Sequence, residues 1–129
     1  MGEVSSGRIM TCHCADCQKF SGAPFGAAAV ITAENVKIFS TVTKFLKIAE
    51  TGNERVQGFC GKCGSHLYAV YPAKTLFMNG TGCFDQHHEL VPAKHSVSKS
   101  AVEWVGEIAN LSRVAEGTSS AAVTPFIKA

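Results

Sequence analysis

Arg55-Val56-Gln57-Gly58-Phe59-Cys60-Gly61-Lys62-Cys63-Gly64-Ser65-His66-Leu67-Tyr68-Ala69-Val70-Tyr71 reads as two short strands joined by a knuckle. The flanks, 55–60 and 66–71, carry the Val, Phe and Tyr that suit a pleated, half-buried surface. Between them, Cys60-x-x-Cys63-Gly64 lets two thiolates converge on one ion. Gly61 and Gly64 permit the tight backbone path that turns amide N–H groups toward the sulfurs. This is half of a structural zinc site. A redox dithiol of the same spacing expects a βαβ setting with its first Cys opening a helix, whereas strands flank this one.

Working outward, 25–31, 36–39, 44–48 and 76–78 are further candidate strands, bounded by Gly, Pro, Asn or Ser, and Gly52-Asn53 reads as a turn. Spacings of roughly 8 to 12 residues leave no room for parallel crossovers, so antiparallel sheets and a mainly β fold are predicted. A helix is predicted only within 100–114, where Val102, Val105, Ile108 and Ala109 recur at helical spacing. From Gly117 the chain turns small and polar. The expected organisation is one zinc-binding β domain over 1–116 and a flexible C-terminal tail over 117–129.

The 129 residues suit one domain. Hydrophobic residues at 46% supply a core, and charged residues at 17% are too few for a disordered, solvating chain. With 12 basic against 10 acidic side chains, the clustered positive excess that nucleic-acid backbones demand is missing. The longest apolar stretch, 25–31, falls well short of the roughly 18 residues that span a bilayer. No apolar leader core is visible near Met1. The expected location is cytoplasmic, where reducing conditions turn six cysteines toward metal or thiol chemistry rather than disulfides.

The second cluster, Cys12-His13-Cys14-Ala15-Asp16-Cys17, offers three thiolates within six residues and requires a turn, so it is expected on a loop. Three thiolates on Zn²⁺ leave one net negative charge and one tetrahedral position free for water or an incoming ligand, as in catalytic zinc. The alternative is a closed four-Cys site that joins two of these thiolates to Cys60 and Cys63. His13 is expected beside the ligands rather than among them. His66 and His95 could each complete a site, and His87-His88 reads as a solvated loop pair. Cys83, next to Phe84, reads as a small buried hydrophobe. Lys19, Lys44 and Arg55 are expected on the solvated surface.

Cys12-His13-Cys14-x-x-Cys17-Gln18-Lys19-Phe20-Ser21-Gly22, followed by Phe59-Cys60-x-x-Cys63-Gly64-Ser65-x-Leu67, resembles the glutathione-dependent formaldehyde-activating enzyme family. Gly80-Thr81-Gly82-Cys83-Phe84-Asp85 and then Pro92, His95, Ser98 and Trp104 extend the likeness over about residues 10 to 105. The resemblance implies a β-tent fold of stacked antiparallel sheets held by zinc. It implies a carbon–sulfur lyase of the S-(hydroxymethyl)glutathione synthase type, which condenses formaldehyde with glutathione. It assigns Cys12, Cys14 and Cys17 to the reactive Zn²⁺, and Cys60 and Cys63 to half of a structural site. The chain departs from the family pattern in one respect: a strand bearing a Cys-x-Cys pair is expected before the first cluster, and the residues preceding Cys12 contain none. Three alternatives follow: the chain is a truncated version starting at an internal methionine, Cys60 and Cys63 recruit other ligands, or one zinc is shared among the remaining cysteines. A missing edge strand leaves sheet groups unpaired, so a homodimer is expected. Beside the enzyme stand two other readings, a non-catalytic zinc-stabilised binding module of the same fold and a thiol redox protein using Cys83 or Cys12.

Overall fold

The computed structural model describes residues 8–39 and 41–126. Residues 1–7, Ser40 and 127–129, which belong to the expected domain and tail, lie outside the described residues. The chain runs β1 (Ile9–Cys12), α1 (Ala15–Ser21), β2 (Gly26–Thr32), β3 (Val42–Ile48), β4 (Glu54–Cys60), β5 (His66–Tyr71), β6 (Leu76–Gly80) and β7 (Lys94–Ser96). An eight-residue 3-10 helix over Glu103–Asn110 precedes a two-stranded ribbon of β8 (Arg113–Val114) and β9 (Ala122–Val123). The ribbon spans the point near residue 116 where the sequence suggests that the core ends.

The mainly β expectation is met by a seven-stranded sheet in the order β3-β4-β5-β6-β2-β1-β7. Its neighbours pair antiparallel except at one end, where β1 runs parallel to β7 and Cys12 lies opposite Ser96. The hairpins β3-β4 and β4-β5 are the connections that the turn at Gly52 and the Cys60–Cys63 knuckle predict. Gly52 has φ +89°, a left-handed conformation that costs glycine nothing.

Three elements differ from the sequence reading. Residues 36–39 form no strand: Phe39 is 90% exposed, and its β propensity finds no partner strand among the described residues. The helix expected in 100–114 is a 3-10 segment with no buried residue, with Gly106, a weak helix former, inside it. The 12–17 cluster is not a loop but a strand end running into α1. That helix is seven residues long, capped by Cys14 and closed by Gly22 at φ +65°, whose N–H donates to the Gln18 carbonyl.

The core is small. Ile9, Ala29, Ile31 and Phe84 form one buried cluster, with Val36 and Leu90 packed against it, and Cys12, Cys14 and Cys17 form another. Across the β4-β5 pair Gly58 lies opposite Tyr68, whose ring covers the glycine so closely that a Cβ there would stand 2.4 Å from Cζ. Leu67 is the extra residue of a bulge in β5, because Phe59 pairs with His66 and Gly58 with Tyr68.

Candidate metal centre

β1 delivers Cys12 at its last residue, Cys14 caps α1, and Cys17 lies in the first turn of that helix. One strand end and one helical turn thus bring three sulfurs together without a long loop. All three are buried, and their Sγ atoms lie within 4.8 Å of one another. The Cys12 and Cys14 sulfurs are 3.5 Å apart, and the Cys17 N–H donates to Cys14 Sγ at 3.3 Å. Sulfurs on a tetrahedral zinc with bonds of about 2.3 Å stand about 3.8 Å apart, so the donor set fits a zinc ion.

Electrostatics point the same way. Hydrogen bonding from the Cys14 and Cys17 thiols holds Cys12 far below the ordinary thiol range, and those contacts push Cys14 and Cys17 up. Contacts that favour one thiolate among the three suit a divalent cation, whose binding displaces thiol protons.

Hydrogen bonds fix the backbone around the sulfurs. The Gln18 amide donates to the His13 carbonyl at 2.7 Å and to the Ser100 carbonyl at 3.0 Å, tying α1 to the segment after β7. The His13 N–H donates to the Ser96 carbonyl at 3.0 Å, and Ser96 Oγ donates to the Thr11 carbonyl at 3.1 Å. Buried Asp16 pairs with Lys47 at 2.7 Å and accepts the Glu50 N–H at 3.0 Å, anchoring the helix to the end of β3. Burial opposes ionisation of Asp16, but the Glu50 N–H and Lys47 outweigh it and hold the carboxyl below its usual range.

Two cavities meet at the cluster. One, of about 150 Å³, is walled by Phe20, Phe25, Ala27 and Met78 and reaches Cys12 and Cys17. The other, of about 360 Å³, has a mostly apolar wall that includes Tyr71 and Val97 but also carries Glu50, Asn53, Ser96 and Lys99 around Cys12 and Cys14. Cys12 and Met78 line both.

The other candidates fall into place around this centre. Among the described residues the 12/14/17 trio is the one group of three or more donors arranged to hold a metal, so a four-thiolate site built with Cys60 and Cys63 is not assembled. Cys60 is partly buried and Cys63 exposed at the β4-β5 turn, where the Cys60 N–H donates to the Ser65 carbonyl at 2.9 Å and Cys63 Sγ lies 3.1 Å from Ser65 Oγ. His13 is 1% exposed but turns from the sulfurs to Thr11 Oγ1 at 3.1 Å and His95 Nδ1 at 3.0 Å. Its Nδ1 is buried without a hydrogen-bond partner, so a proton on Nε2 leaves a lone pair rather than an N–H unsatisfied. His66 stacks on Phe20 at 4.1 Å and borders the smaller cavity. His87 and His88 lie exposed, as expected. Cys83 is not a buried hydrophobe: it is exposed and its sulfur donates to the His66 carbonyl at 2.9 Å.

The largest miss is Arg55. Expected in solvent, it is 0% exposed, with Nε donating to Gln57 Oε1 at 2.9 Å, NH1 to the Tyr71 hydroxyl at 3.3 Å, and both terminal nitrogens 3.9 Å from Cys17 Sγ. The available signal was its alternation with Gln57 along β4, which sends both side chains to one face of the sheet.

A mainly β domain with three convergent buried cysteines beside an apolar cavity has the donor set of a thiolate metal site with an accessible position. More specifically, this chain belongs to the glutathione-dependent formaldehyde-activating enzyme family, whose family model matches residues 3–100. A comparison with curated proteins finds no match. Among the described residues no helix is long and apolar enough to cross a membrane.

Proposed function

We propose that this chain is a zinc-dependent carbon–sulfur lyase-type enzyme that condenses formaldehyde with glutathione to S-(hydroxymethyl)glutathione. The observation that carries the reading is the buried Cys12/Cys14/Cys17 trio opening on a small apolar cavity, in a chain of this family. Cys12, Cys14 and Cys17 would hold Zn²⁺, which when bound supplies Lewis acidity toward a carbonyl oxygen or affinity for a thiolate. Cys60 and Cys63 would contribute to a structural zinc.

The chain's own residues do the rest. Phe20, Phe25, Ala27 and Met78 exclude water from a space that suits a one-carbon aldehyde. The larger of the two cavities offers Lys99 to a carboxylate and Glu50 to an amine, the charged groups of a tripeptide thiol. Reaction joins the thiolate sulfur to the carbonyl carbon, and the π pair moves to oxygen, which takes a proton. Free, reduced thiols throughout the chain suit a reducing cytoplasm.

The test is formation of S-(hydroxymethyl)glutathione, followed by NMR exchange between free and bound formaldehyde, above the uncatalysed rate. No excess at micromolar zinc-loaded protein would refute catalysis and leave a zinc-stabilised binding module of the same fold. A homodimer is part of the proposal, because β3 is a sheet edge with Phe45, Leu46 and Ile48 exposed. A concentration-independent monomer mass in sedimentation equilibrium would remove that part.

A further inference from the structure

A completely buried arginine requires an anion. Arg55 stays protonated in every protein environment, so burial cannot neutralise it as it can a lysine. Its fork is satisfied by neutral groups, Gln57 Oε1 and the Tyr71 hydroxyl, and its plane lies near the Phe20 and Tyr71 rings at 5.9 and 5.8 Å. Among the described residues no carboxylate forms an ion pair with it; Asp16, which feels its charge at a distance, is paired with Lys47 instead. What the guanidinium does reach is Cys17 Sγ, at 3.9 Å from both NH1 and NH2.

The charges close only when the metal centre is counted. Three thiolates on a divalent cation leave a net charge of −1, and one guanidinium brings the assembly to zero. An anionic fourth ligand then brings the total to −1 rather than −2 at a mostly buried cluster, where such a difference is felt more strongly than in bulk water.

We propose that Arg55 is the charge-balancing residue of the Cys12/Cys14/Cys17 centre, and that through Cys17 it makes the open metal position accept an anion, such as a substrate thiolate, in preference to a neutral ligand. The inference rests on the zinc reading above and deepens it. Arg55 is a positioning residue, since it touches a ligand sulfur and not a reacting atom. Its second role is to hold the metal, as outer contacts to ligand atoms do.

The experiment uses the full chain loaded with Co²⁺, whose absorption reports both the sulfur ligands and a change of fourth ligand. Azide serves as the anionic probe and imidazole as the neutral one, titrated into wild type, R55Q and R55K. For R55Q the expectation is metal affinity lowered roughly 10- to 100-fold in competition with a chelator. Azide affinity falls about tenfold, and imidazole affinity changes by less than about twofold. R55K, which keeps the charge but loses the fork to Gln57 and Tyr71, retains the wild-type preference for azide over imidazole. R55Q with an unchanged azide-to-imidazole ratio overturns the proposal, and so does R55K that loses the ratio as fully as R55Q. If R55Q fails to fold, R55M, which also removes the charge but keeps an apolar stem, is read by the same ratio. Wild type that shows no thiolate-to-cobalt charge-transfer band overturns the zinc reading and this inference with it. Wild type that shows the band while the variants behave identically overturns the inference alone.

Discussion

Gly58→Ala perturbs the most tightly covered of the described glycines. A Cβ at that position lies 2.4, 2.6 and 2.8 Å from Cζ, Cε2 and Cε1 of Tyr68, whereas carbon atoms in good contact stand about 3.5 to 4.0 Å apart. Tyr68 must therefore retreat by about 1 Å. It is 4% exposed, and the Phe77 ring stands at 4.7 Å, so retreat means repacking β5 against β6. Overpacking of this kind costs about 2 to 3 kcal/mol. For a domain of this size that is a fall in Tm of about 8 to 12 °C. Calorimetry of the zinc-loaded protein measures it, and a cycle with Tyr68→Leu isolates the clash. With the ring gone, the alanine should cost at least about 1 kcal/mol less than in wild type. Because Tyr68 also borders the smaller cavity beside Cys12 and Cys17, turnover should fall as well. A Gly58→Ala protein within about 0.5 kcal/mol of wild type, or a penalty identical in both backgrounds, would refute the reasoning.

Removing the metal with a chelator should lower Tm in wild type, since at metal concentrations of 100 Kd each binding site contributes about 2.7 kcal/mol, and Cys17→Ser should reduce that dependence by the share of the Cys12/Cys14/Cys17 site; scans with and without chelator check both. Asp16→Asn should cost about 1 to 2 kcal/mol at neutral pH by weakening the contacts to Lys47 and the Glu50 N–H. The folded carboxyl ionises below its ordinary value of 3.8, so its contribution is fully present above that pH and is lost as pH falls through the lower folded value. Urea curves should show the gap between wild type and variant closing below pH 3.8, and a constant gap would contradict the assignment. Gln18→Ala, which severs the bonds to the His13 and Ser100 carbonyls, should cost about 1 to 2 kcal/mol and hasten metal release to a chromophoric chelator.

The cysteine spacing and the alternating strands were legible because each is a local pattern: Cys60-x-x-Cys63 fixes a turn, and runs such as 66–71 fix a period. β1 and α1 were not. Four residues of strand carry too little period, and seven of helix complete less than two turns, although Cys14, Asp16 and Gly22 in retrospect are a cap, a first-turn acid and a left-handed stop. Residues 36–39 show the converse. Ile38 and Phe39 favour a strand, but a strand needs a neighbour, and pairing is decided by the rest of the chain. Arg55 was read as a solvated cation because a side chain's type sets only an average exposure. The sulfur that its guanidinium reaches belongs to a residue 38 positions earlier, and no local window contains both.

The parallel pairing of β1 with β7 also has a temporal side. It joins Met10 to Lys94, Thr11 to His95 and Cys12 to Ser96, so closing this edge demands one of the widest chain separations in the sheet. During synthesis the three sulfurs emerge early, but the wall that holds their backbone is not translated until residues 94–100. A ribosome-bound fragment ending before β7 should therefore display the cysteines as an unshielded trap for any soft ion or oxidant. The finished centre is then a product of chain completion.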